Sequence, residues 1–149
     1  MIFTNIAIAS DHAGLEQKNA IKEWLVNQGC NVCDLGCNST ESTHYPIYAK
    51  KCAEAVVSGR AEVGVLVCGT GIGMQMAADK VKGIRAANIT IPDFARLSRE
   101  HNDANVITLS GRFIDLDTNK EILNVFLNTQ ASDSKNHVSR RKMIADMER

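Results

Sequence analysis

The sequence predicts a three-layer α/β/α fold, Rossmann-like, built on a five-stranded parallel sheet. Three observations predict it. Short apolar runs alternate with longer amphipathic segments about five times along the chain. The short runs are apolar throughout rather than at every second position, as strands covered on both faces are. The 149 residues, 44% apolar and 23% charged, suit one domain of ordinary size spanning residues 1–149. Parallel strands need helical crossovers, which places helices on both faces of the sheet.

The elements follow in order. Ile6-Ala7-Ile8-Ala9 reads as a buried strand, and Ser10-Asp11-His12-Ala13-Gly14 as the polar turn after it. Leu15, Ile21, Trp24 and Leu25 mark a helix that Gly29 stops. Residues 30–35 read as a weaker second strand, and 36–45 as a polar loop. Pro46 suits a first helical turn, and Ala49, Cys52, Ala53 and Val56 recur at helical spacing up to Ser58-Gly59. Residues 63–67 form the clearest strand; it runs into Cys68-Gly69-Thr70-Gly71-Ile72-Gly73 and a helix over 74–81. A strand over 84–89, a helix over 92–100 and a fifth strand over 104–109 come next. A helix over 115–127 puts Ile122, Leu123 and Phe126 on its core face; the polar stretch 128–136 then leads to a last helix up to Arg149.

Composition narrows the function. Seventeen Lys and Arg balance seventeen Asp and Glu, so no basic footprint for nucleic acid is expected. No apolar run approaches the ~20 residues of a membrane span. Met1-Ile2-Phe3-Thr4-Asn5 lacks the charged start and cleavage site of a signal peptide. The expectation is a cytoplasmic protein with no nucleic-acid and no membrane partner. The five cysteines, at 30, 33, 37, 52 and 68, are an odd count and do not suggest a disulfide framework. Cys30 and Cys33 form a C-x-x-C with Cys37 near by, and His44 is one further ligand type. No second ligand pair exists, and the motif lies in a strand, where alternate side chains face opposite ways. Small buried hydrophobes are the simpler reading of these thiols.

In a parallel α/β sheet, ligands bind beyond the carboxyl ends of the strands, at a switch point in the topology. Residues just after strands are therefore the informative ones: Asp11 and His12, Cys68 to Gly73, and Gly111-Arg112. His101-Asn102-Asp103 precedes the fifth strand. Gly69, Gly71 and Gly73 let the backbone turn tightly and bring N–H groups close to a ligand, at the positive end of a helix. This is an anion cradle. It is not a dinucleotide fingerprint, which needs glycine where Met74 stands, nor a P-loop. Cys68 opens the cradle, where the helix end favours a thiolate able to act as nucleophile or base. His12 and His101, each with polar neighbours, suit proton exchange near neutral pH. Tyr45 reaches toward the site from its loop. His137, Arg140 and Arg141 fall at i, i+3 and i+4 and share one helical face, as a phosphate grip would.

Five segments together resemble a known family. They are Ala9-Ser10-Asp11-His12-Ala13-Gly14, Tyr45-Pro46-x-Tyr48-Ala49, Val67 to Gly73, Gly83-Ile84-Arg85-Ala86 and His101-Asn102-Asp103-Ala104-Asn105-Val106. In this order they resemble the type B ribose-5-phosphate isomerases, whose family also holds the galactose-6-phosphate isomerase subunits. The resemblance covers nearly the whole chain. It implies a metal-free interconversion of ribose 5-phosphate and ribulose 5-phosphate through a cis-enediolate, with no cofactor. It implies Cys68 as the base, Thr70 as manager of hydroxyl protons and the N–H groups of Gly69 to Gly73, Ile72 among them, as the oxyanion cradle. His101 would open the furanose ring. Asp11 and Asn102 would hold sugar hydroxyls, with Tyr45 lining the site; His12, Arg112 and Arg140 would hold the phosphate, with His137 near by. It also implies a homodimer, with a tetramer as a further assembly, in which the last helix packs on a partner subunit and contributes to its site.

Three positions depart from the family pattern. Asn136 stands where an arginine is usual before the C-terminal histidine, Asp79 where Asn is usual, and Ser110 where glycine is usual before Gly111-Arg112. The first bears on phosphate grip, with Lys135 or Arg141 as the nearest compensator. Two other functions compete: a hexose-6-phosphate isomerase acting on galactose or allose 6-phosphate, and a non-catalytic sugar-phosphate-binding protein. Retention of Cys68 and His101 disfavours the second.

Overall fold

The computed structural model describes residues 1–148; Arg149, the expected end of the last helix, lies outside them. Five strands form one sheet: β1 (Asn5–Ser10), β2 (Asn31–Asp34), β3 (Val63–Cys68), β4 (Ala86–Asn88) and β5 (Val106–Ser110). Their order is β2-β1-β3-β5-β4, and every neighbouring pair is parallel. The helices are α1 (Leu15–Asn27), α2 (Tyr45–Val57), α3 (Ile72–Ala78), α4 (Pro92–Glu100), α5 (Leu116–Leu127) and α6 (Lys135–Asp146). A 3-10 turn, His12–Gly14, separates β1 from α1.

The sheet divides two apolar cores. Alternation along β1 sends Ile6 and Ile8 to one face, with Ile21 and Leu25 of α1, Ala95 of α4 and Ile122, Leu123 and Phe126 of α5. Ala7 and Ala9 face the other way, onto Ala49, Cys52 and Ala53 of α2 and Met74 and Ala78 of α3. The small residues there let α2 lie close to the sheet. The three central strands are buried along nearly their whole length, which is why they read as unbroken apolar runs. Edge strands β2 and β4 are only partly covered. Among the described residues no helix is long and apolar enough to cross a membrane.

The chain leaves β1 toward β2 on one side and returns to β3 on the other. The switch point therefore lies between the carboxyl ends of β1 and β3. There the first turn approaches β3 so closely that a Cβ on Gly14 would strike the Val67 carbonyl. Some boundaries differ from the sequence pattern. α3 starts at Ile72 rather than 74 and stops at Ala78 rather than 81. Gly71, at φ 84° in the left-handed region, makes the turn early, and its carbonyl already accepts from Gln75 N–H. The strand expected over 84–89 pairs only at Ala86–Asn88, although Ile84 and Ile89 are both buried. α6 begins at Lys135, two residues before the expected start, and buries none of its described residues.

Candidate active site

Cys68 is the last residue of β3 and is buried at the mouth of the glycine loop. Its Sγ accepts the Gly71 N–H at 3.1 Å. Thr70 Oγ1 accepts the Ile72 N–H at 3.1 Å. Behind the loop, the Gly69 carbonyl accepts from Ser110 Oγ at 2.7 Å and from Arg112 N–H at 3.2 Å. The Gly71 carbonyl accepts from Thr108 Oγ1 at 2.8 Å. In front, the N–H groups of Thr70, Gly73 and Met74 meet no protein acceptor among the described residues. The last two are first-turn amides of a helix, which have no intrahelical partner by geometry.

Around this cradle stand the other residues expected after strands. Asp11 is buried and accepts the Gly14 N–H on Oδ1 at 3.1 Å, capping the 3-10 turn. His12 accepts the Thr43 N–H on Nδ1 at 3.2 Å, so its neutral ring carries the proton on Nε2. Arg112 lies over Gly69, its Cδ 3.5 Å from where a Cβ on that glycine would stand. Tyr45, the first residue of α2, lays its ring against Gly73; a Cβ there would sit 2.6 Å from Tyr45 Cε1. Asp11, His12, Tyr45, Cys68 to Gly73 and Arg112 thus share one end of the sheet. The exposed apolar side chains of Ile72, Met76, Ile91, Phe94 and Phe113 belong to segments at the same end.

The remaining expected residues form a second group. His101 caps α4 just before β5, and its ring stacks on His137 of α6, with centroids 4.2 Å apart and planes 14° from parallel. Asn102 follows, exposed, and Arg140 projects exposed from α6. Desolvation, then the positive charges of His101, Arg140 and Arg141, lower the His137 pKa, which Glu100 only partly opposes. Arg141 donates to the carbonyls of Glu100, His101 and Ser132 and ties α6 to the end of α4.

A residue preceding a parallel strand lies at the opposite sheet end from one that follows a strand. Strand β5 separates His101 from Cys68, a span of roughly 15 Å at ~3.3 Å per residue. Within one chain, the structure therefore does not bring His101, Asn102, His137 and Arg140 to the cradle.

Sequence reasoning missed several supporting groups. Asp103, at φ 48°, receives Arg99 at 2.8 Å and Arg85 at 3.3 Å, and Arg85 Nε also donates to the carbonyls of Asn102 and Asp103. These charges brace the His101 turn; the signal was two arginines flanking an acidic turn. Lys18 is wholly buried and donates to both Asp34 oxygens, at 2.8 and 3.1 Å, and to the Cys37 carbonyl. That clamp fixes the start of the loop that carries Thr43 to His12. All five cysteines are free thiols, and Cys30, Cys33, Cys37 and His44 do not converge. Among the described residues no cluster of three or more His, Cys, Asp or Glu is placed to hold a metal ion.

Comparison with known proteins gives a consistent picture. A family model described as Ribose/Galactose Isomerase matches residues 6–144. The chain is 41% identical over 143 residues to ribose-5-phosphate isomerase B of Escherichia coli, covering 96% of this chain and 95% of that protein. It is 42% identical over 130 residues to a galactose-6-phosphate isomerase subunit of Clostridium acetobutylicum, covering 87% and 75%. Its fold superposes with a TM-score of 0.92 and 39% identity on ribose-5-phosphate isomerase B from Mycoplasma genitalium with bound ribulose 5-phosphate, covering 99% and 98%.

Proposed function

Since the chain belongs to the ribose/galactose isomerase family, we propose that it interconverts ribose 5-phosphate and ribulose 5-phosphate through a cis-enediolate, without a metal. The observation that carries this reading is the buried Cys68 thiol at the mouth of a loop whose Thr70, Gly73 and Met74 N–H groups are unengaged. A base next to a ready-made anion cradle is what abstraction of a proton α to a carbonyl requires. Relatives on both sides of the comparison, one with ribulose 5-phosphate bound, are named for this reaction.

In the proposed reaction the open-chain aldose sets its C1 oxygen among the cradle amides. Cys68, as thiolate, takes the proton from C2, and negative charge develops on the oxygen the amides face. The same sulfur returns the proton to C1, and Thr70 Oγ1 passes the hydroxyl proton between O1 and O2. Asp11 and Asn102 hold sugar hydroxyls. His12, Arg112 and Arg140 hold the phosphate with His137 beside them, and Tyr45 closes the side over Gly73. His101 opens the furanose ring before enolisation.

This set is complete only if two copies meet. We place His101, Asn102, His137 and Arg140 of a second copy over the cradle of the first, with α6 packing on the partner, in a homodimer. The separation of the two groups within one chain supports this, as do the exposed apolar side chains on segments at the cradle's end of the sheet. A cytoplasmic location is part of the proposal, in keeping with five unpaired thiols.

The test is deuterium exchange at C2 together with net isomerisation, in the presence of chelator, on ribose 5-phosphate and on galactose and allose 6-phosphates. The reading expects both signals on the pentose and much weaker ones on the hexoses. A stronger hexose signal would support the second reading, which the galactose-6-phosphate isomerase relative favours. Binding without exchange on any of them would leave a sugar-phosphate-binding protein.

A further inference from the structure

We propose that Ser110 is a positioning residue that aims the Thr70 N–H at the reacting oxygen, with Thr108 holding the next carbonyl of the same loop; the inference rests on the isomerase reading above. In a planar trans peptide, the carbonyl of one residue and the N–H of the next point in opposite directions. The Gly69 carbonyl is turned toward β5, where it accepts from Ser110 Oγ at 2.7 Å. The Thr70 N–H of the same peptide must therefore point away from β5, and it is one of the amides with no protein acceptor among the described residues. In the next peptide the Gly71 N–H donates to Cys68 Sγ. The loop thus offers one amide to the sulfur and the preceding one to the substrate.

Several features make Ser110 specific for this task. Its side chain is 2% exposed, so water does not compete for the bond. Its oxygen accepts the Phe113 N–H at 3.0 Å, which leaves the hydroxyl hydrogen for Gly69. The turn behind it is itself braced. Asn119 Nδ2 donates to the Ser110 carbonyl at 2.9 Å, and Gln17 Nε2 donates to the carbonyls of Gly111 and Ile114. Two residues earlier on the same face of β5, the fully buried Thr108 hydroxyl donates to the Gly71 carbonyl at 2.8 Å and lies 3.1 Å from Asn88 Oδ1. A Cβ on Gly71 would collide with that Asn88 oxygen, so the loop is pressed against these side chains. The rigid strand thus holds the Gly69 and Gly71 carbonyls from behind, while Cys68 and Thr70 engage amides of the loop itself.

The amide matters most when charge develops on the substrate oxygen, so its misalignment should appear in turnover rather than in binding. Ser110→Ala is expected to lower kcat about tenfold, less than the ~10²-fold or more that follows loss of an oxyanion donor outright, because the amide is loosened and not removed. KM should stay within about twofold. The discriminating readout is a pair of inhibitors. A phosphorylated hydroxamic acid, which carries the planar oxygens of a cis-enediolate, should lose affinity in parallel with kcat; inorganic phosphate should inhibit as before. Ser110→Gly and Thr108→Val, the latter keeping the buried volume, give the same comparison if Ser110→Ala does not fold. Unchanged kcat and hydroxamate affinity in these variants, or equal weakening of hydroxamate and phosphate, would overturn the positioning role. A wild-type protein that turns over neither pentose nor hexose phosphate and ignores the hydroxamate would instead overturn the isomerase reading, and this inference with it.

Discussion

Lys18 has no part in the chemistry proposed for the site, yet it sets a boundary condition for it. Its ammonium is wholly buried, and Asp34 is the acid that neutralises it. Burial by itself pushes the Asp34 carboxyl up; hydrogen bonds from Lys18 and the Gly36 N–H, with the charges of Lys18 and Lys22, outweigh this and hold it below its ordinary value. A carboxyl with a lowered folded pKa contributes stability that is complete above the ordinary carboxylate range, about pH 4, and is lost as pH falls through the folded value. Asp34→Asn is therefore expected to cost about 3 kcal/mol at pH 7, because it strands a buried ammonium. The gap to wild type should narrow at pH 3, as read by urea unfolding at the two pH values. Such a residue is legible only as an anomaly: Lys18 stands at helical spacing between Leu15 and Ile21, on the buried face of α1. Cys52 shows what burial does to a thiol. Cys52 is fully buried and its pKa is pushed up to about 12, so it should resist alkylation in the folded protein at neutral pH. Cys68→Ala should lower kcat by ~10²-fold or more while the fold survives, whereas Cys52→Ala should keep turnover per folded molecule. Retained wild-type turnover in Cys68→Ala would remove the proposed base.

At the scale of elements, α6 shows how a helix can hide from the sequence pattern. A helix that buries none of its described residues has no core face to announce it, and its start is masked by a polar lead-in. What holds it is a set of discrete contacts: the His101–His137 stack, the Arg141 bonds to carbonyls and the Glu148 carboxylate receiving the Gly83 N–H at 2.6 Å. Because Arg141 is engaged with backbone, it does not fill the place of the arginine that Asn136 lacks. In the proposed site, phosphate grip on this helix then falls to Arg140 and His137. Arg140→Ala is expected to raise KM and weaken inhibition by inorganic phosphate about ten- to a hundredfold, the worth of a charge-assisted bond, and Asn136→Arg to strengthen both. His137 supplies a spectroscopic check. Its titration should lie below the ordinary histidine value in the free protein and move up when phosphate binds, since a nearby anion favours the charged ring. No upward movement would mean that phosphate sits elsewhere. The central strands, by contrast, were legible to within two residues, because burial on both faces makes most of their positions apolar.

For the whole molecule, the fold class and sheet were readable because alternating apolar runs and helices admit few topologies. The grouping of Asp11, His12, Cys68 to Gly73 and Arg112 at one sheet end was readable too, through turn glycines and polar residues after strands. The separation of His101 from this group was less so. The sequence puts His101 before a strand and Cys68 after one, and only the direction of parallel strands turns that order into opposite ends of the sheet. The proposed dimer makes a sharp prediction from this. Cys68→Ala and His101→Asn proteins, each nearly inactive alone, should recover about a quarter of wild-type activity when unfolded and refolded together, since half the dimers are mixed and each mixed dimer holds one intact site. No recovery would mean that both groups of a site come from the same chain. The distance between the groups has a further consequence, which concerns inheritance rather than chemistry. After gene duplication, one copy can drift in its cradle and the other in its histidine group, each keeping what its sister has lost. In the proposed dimer the surviving pair would still assemble one working site, so two genes would become indispensable where one had been enough.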